Sequence, residues 1–575
     1  MLPEPLRGYS SYREWLEAEE EFKGRVVFAR LLPKAPPRPA PYEGAFAGVL
    51  RALGLTPYLH QQRALKRVEA GANVVLAYPT AAGKSLVYQA PVLQAALEGA
   101  TSLLLFPTKA LAHDQLRRLR AMAQVLGVEG VFPYDGDTPS ATRRQARERG
   151  LVLLSNPDML HYGLLPRHPD WAPFLARLRY VVLDELHAYR GVFGTHVALI
   201  LRRLLRLARH YGASPQVLAA SATIANAREH AEALTGLPFE ELKAQVARTE
   251  RELLVLLPKP LDRRGERRRS PLLEAAYLAR RLAEAGLKGL VFAGARKSAE
   301  LIARYAAHPL VRPYRAGYTA RERRRLEADL KEGRVRVLVS TSALELGVDI
   351  GELDAVVLVG YPGSTAAFWQ RAGRAGRGER RALLVYIPRE DPMDEYFLHR
   401  PALLLESPPE EAVADPQNPV LCPLHLHAAA REKPLLAEEL LCPEARATLK
   451  ERNGRFFTPK RNPHREITLR GLGATFTLRG PDGEVLGYLD ERQAYWEAHP
   501  GAIYLHQGES YLVRNVDLAR REVWLLPALE DYYTEPRAET DLEVRTRAGG
   551  GAGGWVGGLG MGESPVGHVY MRHQT

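Results

Sequence analysis

Short, continuous apolar runs recur along the chain, and segments with charged residues at helical spacing separate them. Between residues 45 and 240 these runs are NVVLAYP (73–79), TSLLLFP (101–107), LVLLS (151–155), YVVLDE (180–185) and QVLAASAT (216–223). Apolar runs without polar alternation, joined by amphipathic segments, are typical of a parallel sheet that helices cover on both faces. The pattern therefore predicts an α/β domain in this part of the chain.

A second set of apolar runs follows a basic, proline-bracketed segment, PKPLDRRGERRRSP (258–271). This segment has the composition of an interdomain connection or an exposed loop. The second set comprises GLVFAG (289–294), VRVLVS (335–340), DAVVLVG (354–360) and RALLVYIP (381–388). The sequence therefore predicts two α/β domains in tandem, over residues 45–250 and 251–400.

The composition changes on both sides of these domains. Residues 1–44 predict a polar N-terminal extension that ends in a proline-rich connector, KAPPRPAP (34–41). After residue 400 the sequence predicts a helical module (401–462), a β-rich region (463–540) and a flexible, glycine-dense tail (541–575). We therefore expect several domains rather than one.

The segment AYPTAAGKS (77–85) lies between an apolar run and a helical pattern. A strand, a loop of small residues, Gly-Lys-Ser and a helix form the context in which backbone N–H groups bind phosphates. Tyr78 stands where the strict phosphate-loop pattern has its first glycine. Lys84 is predicted to pair with the β- and γ-phosphates, and Ser85 to hold Mg²⁺. The predicted nucleotide-binding residues of this loop are Thr80, Ala81, Ala82, Gly83, Lys84 and Ser85.

Two carboxylates end a later apolar run, in YVVLDELH (180–187). At the carboxyl end of a strand, Asp184 would face Mg²⁺ and Glu185 would polarise the attacking water. A solvated acidic strand end is the alternative, and the phosphate loop upstream argues against it. The next run ends in SAT (221–223), where small hydroxyl residues can link the phosphate site to a second domain.

The second predicted domain contains a basic element, QRAGRAGRG (370–378). Arg374 and Arg377 are spaced i and i+3, so a helix would aim both guanidinium groups in one direction, near Gln370. Such a pair suits the neutralisation of charge on the γ-phosphoryl group in the transition state. These three residues are therefore predicted to take part in catalysis.

A further motif of the second domain, TSALELGVDIG (341–351), follows a predicted strand. Its position is expected to bring Thr341, Glu345 and Asp349 near the cleft between the domains. Nucleotide that closes such a cleft would convert hydrolysis into motion.

The balance of charge favours a polyanionic partner. The chain has 79 Lys and Arg against 67 Asp and Glu, a formal net charge of +12. An arginine-rich proteome would give the same bias without a function, so charge alone leaves nucleic-acid binding open.

The sequence also restricts the compartment. Its opening is charged and has no apolar signal core, and no segment approaches the ~18 consecutive apolar residues of a membrane span. The two cysteines, Cys422 and Cys442, are too few for a disulfide framework or, by themselves, for a four-thiolate zinc site. We therefore expect a cytoplasmic protein in a reducing compartment, without a membrane partner.

The ordered motifs together resemble a known family. PYLHQ, PTAAGKS, PTKAL, YDGDT, DELH, SAT, GVDI and QRAGRAGR, in this order, resemble the motifs of superfamily 2 nucleic-acid helicases of the DEAD/DEAH-box group. Longer stretches resemble the bacterial MrfA/YprA-type DNA helicases and their fungal relatives among the RecQ4-like repair helicases, namely residues 155–198, 360–377, 391–406, 415–435 and 499–513. The resemblance extends over residues 20–540.

This resemblance implies a fold and an activity. The expected fold is two RecA-like domains that enclose ATP and Mg²⁺, then a winged-helix-like helical module and a small β-rich region. The expected activity is ATP-dependent, 3′→5′ translocation on single-stranded DNA with unwinding of forked DNA. DNA repair and association with the nucleoid follow from the same resemblance, which names no partner protein.

The resemblance also implies roles for single residues. Gln61 falls at the adenine-reading glutamine, and Tyr58 is a weaker candidate in the same motif. The positions that couple hydrolysis to motion are occupied by His187, Ser221 and Thr223. The motifs that face the nucleic-acid backbone supply Thr108, Lys109, Asp137 and Thr341. Hydroxyl groups and lysines bind phosphates without reading bases, as a motor requires.

Two features leave alternatives open. Trp369 either stacks on a base at the fork or, as the favoured interpretation, packs in the core. Family members usually continue into a C-terminal domain with a four-cysteine zinc site, and no comparable cysteines follow residue 540. Zinc bound by Cys422, His425, His427 and Cys442 is conceivable from the C-x₂-H spacing, but cysteine and histidine packed in helical segments are the commoner case.

Three functions therefore compete. The leading one is a DNA helicase, and the second is an RNA helicase or remodelling ATPase, because no residue visibly tests a 2′-hydroxyl group. The third is a truncated DNA-binding scaffold without productive unwinding. The hydrolytic positions all carry competent residues, which argues against the scaffold.

Overall fold

The computed structural model describes residues 2–79, 82–222, 224–247, 249–262, 264, 267–345, 350–376, 378, 380–469, 475–506, 509–528, 534, 539–544 and 569–574. The chain divides into two compact units, Met1–Arg315 with Arg324–Gly471 and Ala316–Arg323 with Leu472–Thr575. Among the described residues, no helix is long and apolar enough to cross a lipid bilayer.

The N-terminal segment forms α1 (Tyr12–Glu17) and β1 (Val26–Leu32). The sequence predicts an extension here, and the structure packs this segment onto the second α/β domain. Strand β1 pairs in antiparallel fashion with a strand of that domain, with Leu32 opposite Arg251. Trp15 of α1 is buried in the core of the same domain. The segment therefore belongs to a sheet whose other strands begin more than two hundred residues later.

The first α/β domain contains seven strands and nine helices within the described residues. The strands are β2 (Val74–Ala77), β3 (Thr101–Leu105), β4 (Val131–Tyr134), β5 (Val152–Ser155), β6 (Leu178–Leu183), β7 (Gln216–Ser221) and β8 (Glu240–Lys243). The helices are α2 (Ala47–Ala52), α3 (Leu59–Glu69), α4 (Lys84–Leu97), α5 (Lys109–Val125), α6 (Ser140–Arg149), α7 (Pro157–Met159), α8 (Ala172–Ala176), α9 (Gly191–His210) and α10 (Ala227–Thr235).

The sheet of this domain is parallel, with the strand order β4-β5-β3-β6-β7-β2-β8. Both of its faces are covered by apolar side chains. In β2, Val74 and Leu76 join one buried cluster, whereas Val75 and Ala77 join the cluster on the opposite face. This two-sided burial explains why the strands read as continuous apolar runs.

The second α/β domain follows the same principle. Its strands are β9 (Arg251–Leu256), β10 (Gly289–Phe292), β11 (Val311–Tyr314), β12 (Val337–Ser340), β13 (Ala355–Val359) and β14 (Ala382–Ile387). Its helices are α11 (Pro271–Glu284), α12 (Arg296–Ala306), α13 (Ala320–Glu332), α14 (Thr365–Ala372), α15 (Pro392–His399) and α16 (Leu403–Glu406). The sheet order is β1-β9-β14-β13-β10-β12-β11, and every pair except β1 with β9 is parallel. The two RecA-like domains are thereby confirmed.

A small helical module follows, as the sequence predicts. It contains α17 (Leu421–Glu432), α18 (Pro443–Thr448) and a hairpin of β15 (Lys450–Arg452) and β16 (Arg455–Phe457). Residues 463–466, directly after the predicted boundary at 462, also pack on α17.

The two cysteines lie in this helical module. Cys422 and Cys442 form one disulfide, which the sequence analysis does not predict. Packing of α17 beside the start of α18 brings their Cα atoms to 6.4 Å, within the distance that a disulfide spans. His427 lies apart from this bond, because its two ring nitrogens are 2.8 and 3.0 Å from Thr458 Oγ1 and Thr448 Oγ1. The four candidate zinc ligands are therefore engaged with other groups.

Helix α17 packs on α9 of the first domain through a buried polar group that we call the histidine cluster. Its members are His161, His196, Arg203, His425, Glu432 and His464. Arg203 binds both carboxylate oxygens of Glu432, with Nε at 3.1 and 3.2 Å. Arg203 Nη1 also donates to Nδ1 of His161 and of His425, at 2.9 and 3.2 Å.

These donations fix the neutral form of two imidazoles. Because Nδ1 of each ring accepts a hydrogen bond, Nε2 must carry the proton. His161 Nε2 donates to the carbonyl oxygen of His464 at 2.9 Å, and His425 Nε2 donates to His196 Nδ1 at 2.9 Å. Burial and the nearby Arg203 lower the pKa of His161 to about 3. Arg203 and His464 outweigh burial and lower the pKa of Glu432 to about 2.

The second unit is β-rich, as predicted. It contains β17 (Thr475–Arg479), β18 (Val485–Asp490), α19 (Glu491–Glu497), β19 (Ile503–His506), β20 (Glu509–Asp517) and β21 (Glu522–Ala528), with sheet order β18-β17-β21-β20-β19. Strands β22 (Glu539–Val544) and β23 (Val569–Gln574) form an antiparallel pair. The predicted tail boundary at residue 540 therefore falls inside β22, and the glycine-dense run 548–562 lies outside the described residues.

Candidate functional site

Three predicted motifs meet at the carboxyl edge of the first sheet. Strands β6, β7 and β2 are neighbours in that sheet, and each ends directly before or within one of the motifs. Lys84 Nζ donates to the carbonyl oxygens of Tyr78 and Ser221, at 3.2 and 3.1 Å. These bonds tie the start of α4 to the ends of β2 and β7.

The phosphate loop ends at Gly83, a position that favours glycine. Gly83 has φ +78°, and a Cβ atom there would lie 2.4 Å from Gln61 Nε2. Gln61 Nε2 donates to the Gly83 carbonyl at 2.8 Å, and His60 Nε2 lies 2.7 Å from the Ala82 carbonyl. The PYLHQ motif thus holds the loop from its other side. Thr80 and Ala81, which are predicted nucleotide contacts, lie outside the described residues.

The amide of Gln61 has two partners within the chain. Besides its bond to Gly83, its Oε1 accepts a hydrogen bond from the backbone N–H of Tyr58 at 2.7 Å. The ring of Tyr58 stacks on His60, with centroids 5.9 Å apart. An adenine-reading role for Gln61 therefore requires at least one of these bonds to exchange.

The two carboxylates of DELH differ in their surroundings. Asp184 is buried and accepts hydrogen bonds from Tyr88 Oη at 2.9 Å and from the Glu185 backbone N–H at 2.9 Å. Burial raises the pKa of Asp184, the charge of Glu185 adds to this, and Lys84 opposes it. Glu185 adopts φ 52°, a left-handed conformation that costs about 1–3 kcal/mol in a residue other than glycine and is common at active sites.

Tyr88 is a residue that the sequence analysis missed. Its hydroxyl bonds to Asp184 and interacts with Ser85, so it lies between the two predicted Mg²⁺ ligands. Tyr88 follows Lys84 by four residues on α4, and this helical spacing is the signal that points to it.

The oxygen groups of Ser85 and Asp184 suit Mg²⁺, a hard cation that takes few protein ligands and several oxygens from water and phosphate. The residues present therefore fit Mg²⁺ bound together with a nucleotide.

The coupling residues connect the two domains. His187 Nδ1 accepts a hydrogen bond from the Ala222 backbone N–H at 3.2 Å and lies 3.5 Å from Ser221 Oγ. Burial lowers the pKa of His187, and a hydrogen bond with Gln370 of α14 opposes this effect. The motif pair DELH and QRAGR therefore meets across the cleft. Thr223 lies outside the described residues.

The arginine pair departs from its predicted helix. Helix α14 ends at Ala372, so Arg374 follows the helix rather than lying within it. Gly373 caps the end of the helix, and Gly376 further on adopts φ 80°. Arg374 is buried, and its Nε donates to the Glu345 carbonyl at 3.1 Å. Arg377 and Asp349 lie outside the described residues.

The predicted nucleic-acid residues lie at the ends of other strands. Thr108 Oγ1 caps α5 by accepting from the Leu111 backbone N–H at 3.4 Å. Lys109 Nζ lies 2.8 Å from Asp137 Oδ1, and both side chains are exposed. Asp137 therefore offsets the charge of Lys109 in this structure. Thr341 directly follows β12 and is partly exposed.

A second residue that the sequence analysis missed is Glu410, in the segment after α16. Its carboxylate accepts from the backbone N–H groups of Thr365 and Ala366, at 2.5 and 3.1 Å, at the start of α14. Its carbonyl accepts from Ala225 N at 3.3 Å, close to the SAT motif. Asn226 bonds both backbone groups of Ala412 at 2.9 Å. This segment therefore joins the arginine-bearing helix to the first domain, and no sequence pattern marks it.

Comparisons with known proteins agree with this geometry. Residues 58–231 match the DEAD/DEAH box helicase family model, and residues 273–379 match the helicase conserved C-terminal domain. The ATP-dependent helicase YprA of Bacillus subtilis is 36% identical over 94% of this chain and 74% of its own length. The ATP-dependent helicase hrq1 of Schizosaccharomyces pombe is 32% identical over 84% of the chain, which spans only about half of that relative.

Solved structures of a helicase also resemble this chain. The crystal structure of the DUF1998 helicase MrfA bound to DNA has a TM-score of 0.85 and 34% identity, covering 93% of this chain and 76% of MrfA. MrfA bound to DNA and AMPPNP has a TM-score of 0.84, covering 90% and 77%.

Proposed function

Because this chain belongs to the YprA/MrfA family of ATP-dependent DEAD/DEAH box helicases, we propose that it moves 3′→5′ along single-stranded DNA and unwinds forked DNA in DNA repair. An ATP-dependent helicase is a nucleic-acid-dependent ATPase, and its proposed nucleotide site is where the buried Asp184 meets the Glu185 backbone and the charge of Lys84. That meeting point is the observation that carries the proposal. The activity would act on chromosomal DNA in the cytoplasm.

In the proposed hydrolysis, Lys84 exchanges its two carbonyl partners for phosphate oxygens. Ser85 and Asp184 would hold Mg²⁺, whose charge would stabilise the phosphate oxygens. Tyr88 keeps Asp184 in one orientation. Glu185 orients and polarises the water, and its strained backbone fixes where its carboxylate points.

In the proposed coupling, the second domain completes the site. Gln370 contacts His187, and Arg374 leaves the Glu345 carbonyl to neutralise charge on the γ-phosphoryl group. His187 also bonds to the backbone directly after β7. Closure of the cleft would therefore be transmitted through His187 to the SAT motif at the end of that strand. Repeated closing and opening would advance DNA across Thr108, Lys109 and Thr341.

The supporting evidence for DNA is the likeness to MrfA, whose structure contains DNA. Strand polarity and a role in repair rest on the family resemblance, and the hydroxyl and lysine side chains at strand ends suit sequence-independent phosphate contacts.

The test is unwinding of matched duplexes with a 3′ tail, a 5′ tail or no tail, each made as DNA and as RNA. We expect ATP-dependent unwinding of the 3′-tailed DNA duplex, and none by Lys84→Ala. Preferential unwinding of RNA would favour the remodelling ATPase. Tight DNA binding without ATP hydrolysis would favour the scaffold, and equal use of 5′ tails would contradict the proposed polarity.

A further inference from the structure

A cavity of about 590 Å³ lies between the two α/β domains of the first unit. Its first-domain wall includes Pro79, directly before the phosphate loop, and Ala222 of the SAT motif. Its second-domain wall includes Trp369 and Gln370 of α14. The cavity therefore adjoins the carbonyl groups that hold Lys84.

Arg251, the first residue of β9, lines this cavity. Its guanidinium carbon lies 5.8 Å from the centre of the Trp369 ring, and within the described part of the chain it has no carboxylate partner. Burial lowers the pKa of Arg251. Trp369 is half-buried: part of its side chain packs against the core of the second domain, as the sequence favours, and the rest lines the cavity.

Two other largely buried arginines of the second domain are paired with carboxylates. Arg371 Nη2 lies 2.9 Å from a Glu345 carboxylate oxygen, and Arg381 Nη2 lies 3.0 Å from Glu250 Oε2. A cation removed from water without a partner costs free energy. Arg251 therefore has the property expected of a group whose anion arrives with a ligand.

The surroundings indicate which ligand this is. A guanidinium binds phosphate oxygens through its N–H groups, and an indole offers a flat apolar surface to a base or ribose. Both are present in one cavity beside a phosphate loop, and a nucleotide carries both complementary parts. We infer that Arg251 and Trp369 form the second-domain half of the nucleotide pocket, with Arg251 binding a phosphate and Trp369 packing against the nucleoside. This inference rests on the proposed ATP site.

The test is binding of a methylanthraniloyl derivative of AMPPNP to the full chain, followed by fluorescence anisotropy. We expect Arg251→Met to raise Kd about tenfold or more, because a hydrogen bond to a charged group is lost. Arg251→Lys keeps the charge and should recover part of the affinity. Arg312→Met, at an exposed position on β11 of the same sheet, is the control and should bind like the wild type.

Stability separates binding from a structural role. Arg251→Met removes a buried charge that lacks a partner, so its unfolding temperature should equal or exceed that of the wild type. Trp369→Phe should reduce energy transfer from tryptophan to the methylanthraniloyl group. Both results would indicate that Arg251 and Trp369 contact the ligand and that Arg251 does not stabilise the fold.

Wild-type nucleotide affinity in Arg251→Met would overturn the inference, as would a lowered unfolding temperature that accounts for the loss. Weakened binding of single-stranded DNA with unchanged nucleotide binding would assign the phosphate to nucleic acid instead and also overturn it. Hydrolysis that depends on Lys84 would leave the proposed function intact in either case.

Discussion

Two buried polar clusters of the first unit resemble each other in composition and differ in what their groups contact. Each combines a cation, a carboxylate and histidine. In the histidine cluster the side chains bind one another, and Arg203 alone contacts three of them. At the phosphate loop, by contrast, the Lys84 ammonium group donates to two backbone carbonyls, and burial raises the pKa of Asp184.

This difference distinguishes a cluster that binds a ligand from a cluster that stabilises the fold. Groups that satisfy one another, as Arg203 and Glu432 do, fix a geometry. Groups at the phosphate loop, beside the strained Glu185, have contacts that can be exchanged for contacts with a ligand. The comparison therefore predicts that changes in one cluster alter catalysis, and changes in the other alter stability.

The largest expected effect is that of Lys84→Ala. Loss of this ammonium group should lower DNA-stimulated ATP hydrolysis at least about a hundredfold, since preorganised charge at a phosphoryl group contributes that much. Thermal unfolding of the apo protein should change little, because the Lys84 ammonium group donates to two backbone carbonyls and is partly exposed. A steady-state ATPase assay with and without single-stranded DNA checks this, and residual activity above a tenth of wild type would contradict it.

The next effect is on stability. Glu432→Gln removes the negative charge that Arg203 binds, and breaking a buried ion pair costs about 3–5 kcal/mol. Urea unfolding would measure this loss in the free energy of unfolding. Glu438→Gln on the same module, at an exposed position, is the control. Equal stability of the two variants would show that the histidine cluster does not hold α17 on α9.

A smaller effect concerns pH. His161 has a pKa of about 3 in the folded state against 6.5 when unfolded, so the unfolded chain binds more protons between these values. Stability present above pH 6.5 is therefore lost as the pH falls, by up to about 1.4 kcal/mol per pH unit for this group. Glu432, with a pKa of about 2, adds a loss in the same direction below pH 4.5.

The matched variant is His161→Gln, which can accept from Arg203 and donate to the His464 carbonyl without titrating. Unfolding free energies at pH 7.5, 6 and 5 should fall less steeply for this variant. Identical slopes would mean that His161 does not carry the acid sensitivity.

Glu410→Ala should give the smallest effect. The carboxylate caps α14, and loss of such a cap costs about 1 kcal/mol, which corresponds to about a fivefold fall in kcat if it misplaces Gln370 and Arg374. Glu411→Ala, its exposed neighbour, is the control, and Glu410→Asp should recover part of the rate. A change in ATP KM alone would contradict a positioning role.

The sheets and the phosphate site were open to prediction because their signals are local. NVVLAYP contains β2, and YVVLDELH places Asp184 and Glu185 at the end of β6. The strand order then brings these ends together. The SAT motif carries little information alone, and its place in the series of motifs made it useful.

The features that the sequence does not predict depend on contacts between distant parts of the chain. β1 pairs with β9 through residues more than two hundred positions apart, and in this largely exposed edge strand the apolar run, VVFA, is short and ends at Arg30. His161 and His425 share Arg203 only after α17 packs on α9. The spacing of the arginines in this motif allows a helix that includes Arg374. The helix ends earlier, because Gly373 is the C-cap of α14 and Gly376 adopts a left-handed conformation.

The most direct test of the contrast between the clusters is the DNA-stimulated kcat of Glu185→Gln measured beside that of Glu432→Gln, at a temperature where both are folded. Loss of a group that activates water costs about 10²–10⁴-fold. The account predicts a loss of that size in Glu185→Gln and a kcat within a few-fold of wild type in Glu432→Gln. Equal losses in the two folded variants would contradict it.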